Sequence, residues 1–159
     1  MREDETEAER LDRNFGDLLQ ELRVAQAGVQ ILFAFLLTLP FSARFSSVDA
    51  FEKGVYLVAL LSAAGATALI IAPVAYHRML FRQGRKPELV FSAHRMASGG
   101  LAFLLVSMVC AVLLAADVVV GRAPAVILSA VVAVSFATLW GVMPWRRRRT
   151  AGTAGTDDE

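Results

Sequence analysis

The chain has 159 residues, a formal net charge of +1 and 56% apolar residues, more than the roughly 45–50% of an ordinary soluble domain. No uninterrupted polar stretch reaches the roughly 50 residues that a separate soluble domain needs, and the small net charge hides acids and bases that are segregated along the chain. One cysteine, Cys110, excludes an intramolecular disulfide and any CxxC zinc or redox site.

Four runs carry no charge. They lie between Arg23 and Arg44, Lys53 and His77, Arg95 and Asp117, and Arg122 and Arg146. Each is long enough to cross about 30 Å of hydrocarbon as a helix, which takes roughly 20 residues. The fold class expected is all-α, a four-helix transmembrane bundle with helical cytoplasmic extensions. Residues 1–23 form an acidic amphipathic arm. Residues 24–145 form the membrane domain, with spans at about 24–41, 55–76, 96–116 and 124–145. Residues 146–159 form a basic anchor and a disordered tail.

In chain order, a helix is expected from about Glu7. Leu11, Phe15, Leu18, Leu19 and Leu22 recur at helical spacing, and no proline intervenes before Pro40. The helix should therefore run into the first span, with Gly16 as a weak point where it could bend. The same stripe continues through Gln26, Val29, Gln30 and Phe33, which predicts that both glutamines face protein. The arm's acids are expected to meet the bases of the link between spans two and three, docking Leu11 and Phe15 near Leu80, Phe81 or Phe91.

Ser46, Ser47 and Asp49 read as a helix start ahead of span two. Pro73 predicts a kink near the end of that span, and Gly84 a helix stop. Pro87 and Glu88 suit the first turn of a third helix reaching about Val120. Gly121 supplies a tight turn, with Asp117 and Arg122 flanking it, and Pro124 opens span four.

Orientation follows from basic residues. One side carries Arg2, Arg10, Arg13, Arg23, Arg78, Arg82, Arg85, Lys86, Arg95 and Arg146–Arg149. The other carries Arg44, Lys53 and Arg122. Both termini and the middle link are therefore expected in the cytoplasm. The N-terminal segment is acidic and lacks the basic region of a secretory signal.

Few residues bear on chemistry. Gln26, Gln30, Thr38, Ser62, Thr67 and Ser107 are polar groups within spans, suited to interhelical glue or to a polar path. His77 and His94 form a candidate pair at the inner mouth. Without a nearby cysteine or acid cluster they make an incomplete metal site, so no metal or cofactor is expected. Ala125, Ser129, Ala133, Ala137 and Gly141 repeat every four residues, a smooth ridge for helix packing. Arg146, Arg147, Arg148 and Arg149 suit a lipid anchor. No phosphate loop, Ser/His/Asp set or HExxH is found, and no Asp, Glu, Lys or Arg, and so no carboxylate, lies deep in a span. Ion-coupled carriers normally keep such a carboxylate there.

The run Leu18–Phe41 resembles the signature of an uncharacterised bacterial family, and the segments Ile71–Arg78 and Asp117–Arg122 are similar to it. The family consists of small four-span membrane proteins classed as a domain of unknown function. The resemblance covers about residues 7–145. It implies a multi-pass protein of the bacterial plasma membrane and no catalytic residues. Some members are labelled sodium:proton antiporter, which implies transport.

The residues and the resemblance together lead to a non-enzymatic membrane protein, accessory, regulatory or scaffolding in role. Its expected partners are the bilayer and either a second copy or another membrane protein, with no nucleic acid. The alternative is cation/proton transport.

Overall fold

The computed structural model describes residues 7–80 and 86–143. Among them there is no strand. Four helices are long and apolar enough to cross a membrane: α1 (Glu7–Thr38), α2 (Ala50–Leu80), α3 (Lys86–Val120) and α4 (Arg122–Ala137), the last continued by a π-helical turn, Thr138–Val142. The chain divides into two compact units, one ending at Met108 and the other beginning at Val109.

In the first unit α1 is one helix from arm to span, continuous through Gly16. It gives way at Leu39–Phe41 to a 3-10 turn holding Pro40, whose missing N–H ends the α ladder. A second 3-10 turn, Ala43–Ser47, follows. Ser46 and Ser47 bond back to Ala43 O and Arg44 O inside it. The α2 start is instead a reciprocal pair: Glu52 N–H donates to Asp49 Oδ1 (2.9 Å) and Asp49 N–H donates to Glu52 Oε2 (2.8 Å). This capping box satisfies two amides that the helix cannot. The helix α2 passes through Pro73 without interruption. Pro87 lies in the first turn of α3, where its lack of a donor costs nothing. At 1.5 Å per residue α3 is about 52 Å long, well beyond the hydrocarbon thickness.

The three helices share one packing rhythm. On α1 the buried residues Leu22, Val29 and Leu36 recur every seven positions. On α2 they are Tyr56, Ala59, Ala63, Ala66, Ile70 and Pro73, with Ser62 buried beside Ala63. On α3 they are Ala93, Ala97, Gly100, Leu104 and Ser107. Steps of seven on α1, and of three and four in alternation along the main seam of α2 and α3, mark the 3.5-residue repeat of left-handed helix crossings. Leu22, Val29, Ala66, Ile70, Ala97 and Leu104 form one cluster where the three helices meet. Most of the α2 and α3 seam is alanine, glycine or serine, so the backbones approach closely. A Cβ built on Gly65 would lie 3.3 Å from Phe103, one on Gly99 3.3 Å from Leu69, and one on Gly100 2.8 Å from Ile70. The pairing runs antiparallel, since Ala59 meets Ser107 while Ile70 meets Gly100.

In the second unit α3 ends at Val120 and α4 begins two residues later. Gly121 N–H donates to Asp117 O, and Gly121 O accepts from Ala125 N–H. Arg122 closes over the turn, its Nη2 lying 3.3 Å from Asp117 Oδ2. Of the small-residue ridge on α4, Ala125 and Ser129 are buried, Ala133 is half-buried, and Ala137 and Gly141 are exposed. The ridge is thus covered at its N-terminal end and open where the helix widens into the π turn. Phe136 and Trp140 stack edge to face there, centroids 4.9 Å apart.

Large apolar side chains stand uncovered all along these helices, Val24 and Ile31 on α1 and Val134 and Leu139 in the second unit among them. Within the first unit 33% of the α2 span is buried against 11% of the α1 span, so α2 is the more enclosed of the two. A helix that is apolar all round needs either a larger protein or hydrocarbon around it.

Candidate functional site

Each helix carries a few polar groups, and most are bonded within the backbone. Tyr56 Oη donates to Leu36 O across 3.1 Å. Leu36 lies in the last turn of α1, where four carbonyls have no helical partner. The tyrosine therefore caps one helix from the start of the next, and Phe45 packs edge to face on its ring at 5.2 Å. Thr67 Oγ1 donates to Ala63 O and Ser129 Oγ to Ala125 O, both one turn back on the same helix. Ser107, fully buried, is different. Its Oγ donates 2.8 Å across the seam to Ala59 O and so bolts α3 to α2.

The six candidate polar residues do not occupy one surface. Ser62 and Ser107 are buried and Thr67 and Gln26 half-buried, whereas Gln30 and Thr38 are exposed. Thr38 Oγ1 donates to Phe35 O at 2.7 Å. The exposure of Gln30 differs from the expected protein-facing stripe. The buried repeat on α1 runs through Leu22, Val29 and Leu36, and Gln30, one step on from Val29, is turned about 100° away from it. Gln26 lies nearer the seam.

The helices bearing His77 and His94 are described, but their side chains lie outside the described residues. So do the side chains of Leu11, Phe15, Leu18, Leu80 and Phe91 on the expected arm-docking surface. Residues 1–6, Phe81 and Gly84, and Arg146–Arg149 with the tail also lie outside them. Among the described residues no three His, Cys, Asp or Glu side chains gather where they could hold a metal ion.

A family model matches residues 4–144, which takes in all four helices. The chain belongs to DUF6328, a family of unknown function. No curated protein and no solved structure matches the chain. The family therefore supplies no activity to carry onto these residues, and the packed seam itself is the best-defined feature of the first unit.

The Gly99–Gly100 pair was not singled out from the sequence, yet a Cβ on Gly100 would stand only 2.8 Å from Ile70 Cγ1 of α2. A signal was present. Two adjacent glycines weaken a helix by about 1 kcal/mol each relative to alanine. In an apolar run their use is to let another backbone near. The Ser107 bond yields a modest expectation. Ser107→Ala should lower stability in detergent or bicelles by about 0.6 kcal/mol, the mean for such interhelical bonds, with about 1.7 as the upper end. A loss well above that in a chemical unfolding titration would mean that the hydroxyl has a further task.

Proposed function

We propose that this chain is a non-enzymatic, multi-pass protein of the bacterial cytoplasmic membrane, with its four apolar helices spanning the bilayer and both termini inside. Its role is accessory, regulatory or scaffolding and is exerted through helix packing. The observation that carries this reading is the content of the first unit's core. Leu22, Val29, Ala66, Ile70, Ala97 and Leu104 fill it, and the buried Ser107 hydroxyl bonds to backbone. A polar path needs side chains free to face a solute. Here Thr67, Thr38 and Ser107 direct their hydroxyls at carbonyls.

Topology gives one prediction. A reporter enzyme active only outside the cytoplasm should work when fused after Arg44 or Arg122 and fail after Arg78, as the distribution of basic residues requires. Activity after Arg78 alone reverses the orientation.

The competing reading is cation/proton transport along Gln26, Ser62 and Thr67, with His77 and His94 at the inner mouth. A pH jump across proteoliposomes holding the purified chain separates the two. The scaffolding role predicts no sodium- or potassium-dependent proton flux. A flux that Gln26→Leu abolishes while the chain stays folded establishes transport instead.

A further inference from the structure

Gln30 sits at the midpoint of the apolar stretch Gln20–Phe41. Its side chain is exposed and makes no hydrogen bond to any described residue. On the reading that this stretch crosses the bilayer, the amide lies about 15 Å from either edge of the hydrocarbon, too far for its short side chain to reach water. A carboxamide brings two donors and a carbonyl acceptor, and lipid tails answer none of them. Such a group needs a partner at its own depth.

The surface around it is shaped for one. Ala27, Ala34 and Thr38 are exposed on the same face. With Gln30 they fall within about 80° of arc at 3.6 residues per turn. The alanines stand three residues before and four after the glutamine, so another helix can approach until the amide is within bonding reach. Thr38 adds no competing donor, because its hydroxyl is already bonded to Phe35 O.

We propose that this face of α1 binds the same face of a second copy of the chain, the two Gln30 amides bonding reciprocally across a two-fold axis normal to the membrane. The occupant follows from complementarity. Two copies inserted with one orientation carry Gln30 at identical depth, and each N–H then meets the other's C=O. Isologous contact makes a group that is both donor and acceptor its own partner. The interface rests on the membrane reading above but adds a surface and a partner to it.

The test uses the full chain with Cys110→Ala and one new cysteine at Ala27, Ala34 or Phe35, oxidised in native membranes that have first been washed with alkaline carbonate. Ala27→Cys and Ala34→Cys should form disulfide-linked dimers. Phe35→Cys, exposed on the same helix but turned away from this face, should not. In detergent, energy transfer between labelled chains should show Gln30→Leu weakening the dimer about five- to tenfold, as expected for two interhelical bonds, while Gln30→Asn retains most of the affinity. Three results overturn the interface: retention in the washed membrane with no dimer at Ala27 or Ala34, dimers unaffected by Gln30→Leu, or a crosslinked band of another size that marks a different protein. Release of the chain by carbonate removes the membrane reading, and this interface with it.

Discussion

Replacing Gly100 by leucine should destabilise the first unit by about 2–3 kcal/mol. A Cβ at this position would stand 2.8 Å from Ile70 Cγ1 and 3.4 Å from both the Ile70 nitrogen and Leu69 Cβ. The first distance is shorter than packed carbons allow, and the other two involve atoms that cannot swing aside. Ile70 is itself 1% exposed and belongs to the cluster with Leu22, Val29, Ala66, Ala97 and Leu104. Its rotation would disturb all three helices. Leucine adds three carbons beyond the Cβ that already collides, so α2 and α3 must move apart and their seam loses contact. Gly99→Ala is the informative control. Its Cβ would meet only Leu69 Cδ1, at 3.3 Å, the flexible tip of a side chain. It should change stability little, with the alanine's better helix propensity offsetting the crowding. Unfolding of the purified variants in bicelles, followed by circular dichroism, measures both. If Gly100→Leu unfolds with the wild type, the helices are not paired in this register.

Gly121→Ala should cost about 1–3 kcal/mol in the second unit. Gly121 has φ 80° and ψ 170°, a region essentially closed to residues with a Cβ. The turn has no slack with which to relax. Gly121 N–H is held by Asp117 O and Gly121 O by Ala125 N–H, while the Arg122–Asp117 pair spans the same residues at 3.3 Å. Asparagine sharpens the test. It suits the left-handed helical region near φ 57°, ψ 47°, but Gly121 lies far from that in ψ. Gly121→Asn should therefore fare no better than alanine. Full rescue by asparagine would show that the turn is left-handed helical instead.

Several elements were legible from local chemistry. The continuity of α1 from the arm into the apolar stretch follows from a helical stripe with no proline before Pro40, and the structure has one helix, Glu7–Thr38. Pro87 marked the first turn of α3, and Gly121 the turn before α4. The start of α2 differs from the one expected. Ser46 and Ser47 belong to a 3-10 turn, and Asp49 makes the cap because Glu52 stands three residues on to answer it. The π turn at Thr138–Val142 had no local signal that we recognised.

By itself the sequence determined the number of long apolar helices and the breaks at Pro40 and Gly121. Those depend on apolar run length, prolines, glycines and caps, all of which act within a few residues. Only the tertiary structure decided which faces of α2 and α3 are buried. In a water-soluble helix, periodic polarity reveals the inner face. Helices α2 and α3 are apolar all round, so lipid-compatible and protein-facing positions carry the same residue types and periodicity is silent. What distinguishes them is size: Ala59, Ala63, Ala66, Ala97, Gly100 and Ser107 lie inside, because close packing between helices rewards small side chains. Gln30 lies outside for a different reason. The stripe through Gln26, Val29, Gln30 and Phe33 implied that it faces protein, but the seven-residue repeat of Leu22, Val29 and Leu36 fixed how α1 is turned.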